Sequence, residues 1–191
     1  MEEKTAKQNL DLVQEMIGMA RNRFTDTGFH FLLWGVLVIL ASISQYVLIK
    51  FGIGSASNLV WIGISVIGVP ISIIYEKRKE RKVGVSSRFG RIYGLLWLGF
   101  GISLFVAIYV SIAFQINPSP FILILVGLAT FVSGAFIRFV PLMIGAIVFW
   151  AASALSPLFS PVDFLLVYAV SIFLGYVVPG LMLTTKHKAN V

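Results

Sequence analysis

Charged residues are scarce in this chain, and cysteine is absent. Charged side chains make up 12% of the 191 residues, whereas soluble globular domains carry about 25%. A soluble domain of this size needs a polar coat that this composition cannot supply. The lack of cysteine excludes disulfides, thiolate metal sites and cysteine nucleophiles.

Catalytic signatures are missing as well. No GxSxG, HExxH or phosphate-binding glycine-rich pattern occurs, and the two histidines lie near opposite ends of the chain. These patterns supply nucleophiles, metal ligands and phosphate cradles in many enzymes. We therefore expect a non-enzymatic protein with no cofactor and no metal.

Long apolar runs dominate what is present, with 58% hydrophobic residues. Six runs approach the roughly 20 residues that cross a bilayer as a helix. They are continuously apolar, unlike the alternating strands of a membrane barrel. The predicted fold is all-α: a polytopic membrane protein whose six-helix transmembrane bundle occupies residues 29–185. The predicted spans are 29–49, 59–75, 92–114, 121–137, 141–155 and 162–183.

The turn between spans four and five is the least obvious boundary. Between residues 121 and 156 only Arg138 is charged, and a single helix of that length would measure roughly 54 Å. Because a bilayer core is about 30 Å thick, the chain must turn back. The turn is predicted at residues 138–141, where Pro141 suits the first turn of the next helix.

Lysine and arginine concentrate on one side of this scheme. With six spans, both termini share a side with the loops after spans two and four, and that side receives all basic residues except Lys50. They are Lys4, Lys7, Arg21, Arg23, Lys77, Arg78, Lys79, Arg81, Lys82, Arg88, Arg91, Arg138, Lys186 and Lys188. Such residues mark cytoplasmic loops. We therefore predict the inner membrane of a bacterium, cytoplasmic termini, a basic loop at 76–91 and a basic tail at 186–191. Topology explains this charge, so nucleic acid is not an expected partner.

Residues 1–28 form a polar leader that is predicted to be an amphipathic cytoplasmic helix. Its apolar residues recur at spacings of three and four, which places them on one helix face. The larger members of this candidate interaction face are Leu10, Val13, Ile17 and Phe24. Membrane-surface helices are usually rich in basic residues on the polar face, whereas the leader's charges are balanced. The alternatives are a protein partner and a helix that merely lies at the interface.

Glycines suggest an internal repeat. Gly35 and Gly63 in spans one and two are 28 residues apart, as are Gly99 and Gly127 in spans three and four. With spans five and six as a third pair, the repeat predicts three helical hairpins of like orientation.

Small residues recur every four positions in span three. This candidate helix-packing face comprises Gly99, Ser103, Ala107 and Ser111. Small side chains let helix backbones approach closely in lipid. We expect a contact within the chain, and the alternative is a contact between copies in a homo-oligomer.

Three residues within the spans are candidates for a buried polar group or a kink. Gln45 in span one carries an amide that needs a hydrogen-bond partner when buried. Pro70 in span two and Pro179 in span six remove backbone hydrogen bonds. Kinks of this kind frame a cavity or are absorbed by neighbouring helices.

The overall plan resembles that of small bacterial inner-membrane proteins with an amphipathic leader and about six spans. We expect an interaction, sensory or accessory subunit that works through its leader helix and basic loop, with the bilayer and a cytoplasmic or membrane protein as partners. The alternative is a small transporter or channel for an apolar or weakly polar solute, with a cavity framed by the two prolines.

The topology can be tested with reporter fusions. Reporters at Ser55, Ser119 and Ser160 should signal from outside the cytoplasm, and those at Val83 and after Val191 from inside, because the basic residues set the orientation. A cytoplasmic signal at Ser119 would contradict the six-span scheme.

Overall fold

The described part of the chain is entirely helical. The computed structural model describes residues 28–54, 56–83 and 88–188, and no strand occurs in these ranges. The helices are α1 Gly28–Lys50, α2 Leu59–Val83, α3 Arg88–Ala113, α4 Ser119–Phe136, α5 Val140–Leu155, α6 Phe164–Ile172 and α7 Val178–Lys188. A 3₁₀ turn at Ser156–Leu158 follows α5, and a π-helix at Phe173–Val177 joins α6 to α7.

The prediction of six apolar helices long enough to span a membrane is confirmed within these residues. The spans are Gly28–Lys50, Leu59–Arg78, Ile92–Ala113, Ser119–Phe136, Val140–Leu158 and Phe164–Thr185, and are numbered one to six below. Each has 18 to 23 residues, close to the roughly 20 that a bilayer requires. The chain is therefore a multi-pass membrane protein.

The turn between spans four and five lies where the sequence predicts it. Helix α4 ends at Phe136 and α5 begins at Val140, with Pro141 in its first turn. Arg138 adopts a positive φ of 53°, in the left-handed region that reverses the chain direction within few residues. The short connection makes spans four and five neighbours.

The spans form a curved row in the order two, one, six, five, four, three. Spans one, four, five and six constitute the core of the bundle, and spans two and three flank it. Only 6% of the residues in each flanking span are buried, against 56% in span six. The flanking spans therefore present most of their surface to the surroundings of the protein.

The three-hairpin arrangement stays a prediction. Spans four and five make the most extensive contact in the described bundle, although they belong to different predicted hairpins. Trp150 of span five lies across Gly127 of span four and donates a hydrogen bond to the Ile124 carbonyl at 3.2 Å. The repeat relates Gly63 to Gly127 and Gly99 to Gly35. A Cβ built on Gly63 or on Gly99 would have no atom within 4 Å. The repeat positions therefore do not share a packing role.

Spans five and six cross with their backbones in contact. A Cβ built on Gly145 would lie 2.6 Å from the carbonyl oxygen of Gly175 and 2.8 Å from its Cα. A Cβ built on Gly175 would collide with the ring of Phe149. At both positions an added methyl group would therefore force a neighbouring group to move.

The π-helix in span six adjoins this crossing. Pro179 has no amide hydrogen to give to the carbonyl of Gly175, four residues earlier, and its ring crowds that carbonyl in a regular α-helix. The wider turns at Phe173–Val177 accommodate the ring, so the helix continues to Lys188. Single π-turns within α-helices are frequently found at functional sites.

Aromatic rings fill the centre of the core. Tyr176 packs against Phe31 of span one and Phe149 of span five, with ring centroids 5.2 Å apart in both pairs. All three residues are buried. Thr130 of span four is hydrogen-bonded to the Tyr176 hydroxyl at 3.3 Å. The four core spans thus meet at Tyr176.

Substitution of Gly145 tests the crossing of spans five and six. Gly145→Ala should reduce stability by about 1–3 kcal/mol, because the added methyl group must push two backbones apart. Thermal unfolding in detergent measures this loss.

Gly99→Ala is the matched control, because its Cβ enters open space and alanine favours the helix. Its melting temperature should be unchanged or raised. Equal melting temperatures for the two variants would contradict the crossing.

Candidate functional site

The first turn of span one is joined to the last turn of span two by a polar contact. Nε2 of His30 donates to Oε1 of Glu76 at 2.8 Å. His30 is partly buried and Glu76 is half-exposed, so the pair lies at the edge of the apolar region. Among the side chains that the structure describes, the only other salt bridge joins Lys50 to Asp163 at 3.8 Å, at the opposite end of the bundle.

Aromatic stacking reinforces this junction. Phe29 and Tyr75 stack with centroids 4.1 Å apart and an interplanar angle of 17°. His30 lies 5.4 Å from the Tyr75 ring. One helical turn further in, Trp34 Nε1 donates to Ser72 Oγ at 3.2 Å. The rings of tyrosine and tryptophan favour the level of the lipid headgroups.

Span six ends beside the same junction. A Cβ on Gly28 would lie 2.9 Å from the Thr184 side chain and 3.2 Å from the Gly180 carbonyl. Gly180 in turn contacts the Leu32 side chain. The start of span one, the end of span two and the end of span six therefore meet at one corner of the bundle. We call this region the basic corner; it comprises Gly28, Phe29, His30, Tyr75, Glu76, Gly180 and Thr184.

The basic corner is the exit point of three polar segments. Residues 1–27 precede Gly28, the EKRKERK run begins at Glu76, and the tail follows Thr184 closely. The Glu76 carboxylate accepts a hydrogen bond from His30, whereas the side chains of Lys77 and Arg78 are exposed. The corner thus brings together the attachment points of three polar segments that are far apart in the sequence.

The predicted interaction face lies outside the described residues. Leu10, Val13, Ile17 and Phe24 lie outside the described residues, as do positions 84–87 of the basic loop. Whether the leader is an amphipathic helix stays a prediction.

The side-chain amide of Gln45 forms two hydrogen bonds, as a buried amide requires. Its Oε1 accepts a hydrogen bond from Trp61 Nε1 at 2.6 Å, and its Nε2 donates to Asn58 Oδ1 at 2.7 Å. Trp61 also packs edge-on against Tyr168 of span six. Gln45 therefore ties spans one and two together at the end opposite the basic corner.

The two prolines have different surroundings. Pro70 is exposed on span two, within a continuous helix, whereas Pro179 is buried in the core. Neither proline lines either of two surface pockets, which have volumes of about 250 and 260 Å³. The larger pocket lies between spans three and four.

The predicted small-residue face of span three divides into two parts. Gly99 and Ser103 line the pocket between spans three and four and are exposed. Ala107 is half-buried and Ser111 is buried. The face is therefore buried at one end and open at the other.

The described side chains offer little catalytic chemistry. They contain no group of three or more His, Asp or Glu residues that could hold a metal ion. The polar groups identified within the core, such as Ser42, Thr130 and Ser171, bond to nearby backbone carbonyls. These groups stabilise helix packing.

Sequence reasoning missed the pairing of His30 with Glu76. The signal was available, because the two residues stand at the same level in consecutive antiparallel spans, beside Phe29 and Tyr75. A search for complementary polar residues at equal depth in neighbouring spans would have found it.

The chain matches no protein-family model, no curated protein and no solved structure.

Replacement of Gln45 tests the polar tie between spans one and two. Gln45→Leu should reduce stability by about 1–2 kcal/mol, because it leaves Trp61 Nε1 and the Asn58 amide without this partner. Thermal unfolding in detergent provides the measurement. Ser44→Leu, at the neighbouring exposed position, is the control and should have little effect; an equal loss would show that Gln45 has no special role.

Proposed function

We propose that this protein is a non-enzymatic subunit of a bacterial inner membrane that recruits or senses a protein partner at its cytoplasmic face. The leader, the basic loop 76–91 and the tail would form the working surface. The observation that supports this proposal is the convergence of all three segments on the basic corner. A partner that contacts this corner could engage three parts of the chain at once.

The internal structure supports an interaction role over transport. The core is filled by rings such as Phe31, Phe149 and Tyr176, all buried. Ionisable residues within the membrane usually mark ion or substrate pathways. In the described spans, the charged side chains are found near span ends, as at Glu76, Arg138 and Asp163. The protein would therefore work through its surface.

The basic corner would also fix the leader relative to the basic loop. The contact between His30 and Glu76 and the stack of Phe29 on Tyr75 lie directly after the leader and directly before the basic residues. Movement of the leader on binding would therefore be transmitted to span two. Such coupling suits an accessory or sensory subunit.

A pull-down experiment with leader variants tests the proposal. The tagged protein is cross-linked in membranes and purified, and its co-purifying cytoplasmic proteins are identified. Substitution of Leu10 and Ile17 with Asp should abolish capture of a specific partner, because each large apolar side chain contributes roughly 1.5–3 kcal/mol when buried.

The matched control carries the same two added charges on the opposite side of the predicted helix, at Gln8 and Asn22. This variant should retain the partner. Equal capture by both variants would contradict a role for the leader face. Saturable solute flux through the reconstituted protein would favour a transporter instead.

A further inference from the structure

A groove runs along the surface between spans one and two, next to the basic corner. Its volume is about 250 Å³, and it is lined by Phe29, Ile71, Ile74, Tyr75 and Arg78. Four of these residues are apolar or aromatic, and the fifth is a cation. The groove is therefore amphipathic along its length.

The residues of span two that line the groove follow one helical stripe. Ile71, Ile74, Tyr75 and Arg78 are related by spacings of three and four, which place them on the same face. At 1.5 Å per residue, Arg78 lies about 10 Å further along the helix axis than Ile71. The apolar span of this helix ends at Arg78, which would place the cation at the membrane boundary and the isoleucines beneath it, within the apolar layer.

The charge of Arg78 is available to a ligand. Glu76, two residues away, is engaged by His30 at 2.8 Å. Among the side chains that the structure describes, Arg78 forms no salt bridge with a carboxylate. Its side chain is exposed, as is that of Lys77. Within the described part of the chain, the positive charge of Arg78 at the mouth of the groove is therefore not paired with a carboxylate.

We infer that this groove binds an anionic phospholipid of the adjacent leaflet. The phosphate would accept hydrogen bonds from the Arg78 guanidinium, whose planar donors match phosphate oxygens. One acyl chain would lie along Ile74 and Ile71, against the Phe29 ring. A neutral peptide or a free anion would use only one half of this surface, whereas an anionic lipid has both the charge and the chain in the observed order.

A lipid bound in this groove would affect the contact between spans one and two. Phe29 and Tyr75 form both the wall of the groove and the stack that joins spans one and two. A lipid in the groove would therefore strengthen the packing of span two, which has few other contacts with the core. Binding should appear as a gain in thermal stability.

Lipid titration of the detergent-purified full chain tests the inference. Dioleoyl phosphatidylglycerol should raise the melting temperature in a saturable manner, and dioleoyl phosphatidylcholine should not. Arg78→Gln should weaken the apparent affinity for the anionic lipid about tenfold, since it removes charge-assisted hydrogen bonds to the phosphate. Arg78→Lys should retain part of the affinity.

Arg138→Gln is the matched control, because it removes one exposed positive charge at the same end of the bundle, away from the groove. It should bind the anionic lipid as the unmodified protein does. Ile74→Trp, which fills the groove and keeps Arg78, should also weaken binding. Each variant is used as the monodisperse fraction from size exclusion, so that misfolded protein is not compared.

Several results would overturn the inference. Equal losses in Arg78→Gln and Arg138→Gln would indicate general electrostatic attraction, and equal stabilisation by both lipids would remove the role of the phosphate charge. Displacement of the lipid by millimolar inorganic phosphate would point to a site for a free anion. Binding that appears only after deletion of residues 2–24 would show that the leader occupies the groove.

Discussion

The contact between Gly145 and Gly175 constrains the rest of the bundle. It fixes the distance between spans five and six at backbone contact, which brings Phe149 over Gly175 and beside the Tyr176 ring. In lipid, helices gain no hydrophobic stabilisation from association, so close packing of small residues decides which helices meet. The π-helix before Pro179 preserves this packing where a regular helix would place the proline ring against a carbonyl.

The division into a packed core and two flanking spans separates stability from interaction. Spans one, four, five and six hold one another through glycines and aromatic rings. Span two is held by polar contacts at its two ends, the Trp61–Gln45 bond and the Glu76–His30 pair. Between these ends Gly68 packs against Leu37 and Trp34 of span one, and the opposite face of span two is exposed to lipid or protein. This arrangement places the exposed surface of span two beside the basic loop.

The number of spans and their approximate limits could be predicted because membrane thickness imposes one length on every apolar run. The turn at Arg138 could be predicted for the same reason. The neighbours of each span could not, because apolar residues surround every helix and no face is marked. Gly99 and Gly127 illustrate this limit: both are glycines in apolar helices, yet Gly127 lies under Trp150 and Gly99 faces open space. The pairing of His30 with Glu76 could have been predicted from the sequence. The π-helix could not, because it depends on contacts with other helices that the sequence of span six alone does not show.

The adjacency of spans one and six has a consequence for biogenesis. Gly35 lies against Val177 and Tyr176, and Ser42 donates to the Leu165 carbonyl at 2.7 Å. The ribosome produces span six after spans two to five, so span one must wait in the membrane through the synthesis of four further helices before this partner emerges. A nascent chain that stalls before span six exposes the glycine face at Gly35 to the lipid, and its Ser42 hydroxyl lacks the partner that span six supplies. Those features would distinguish an unfinished product from a completed one and make it recognisable to insertion chaperones and membrane proteases.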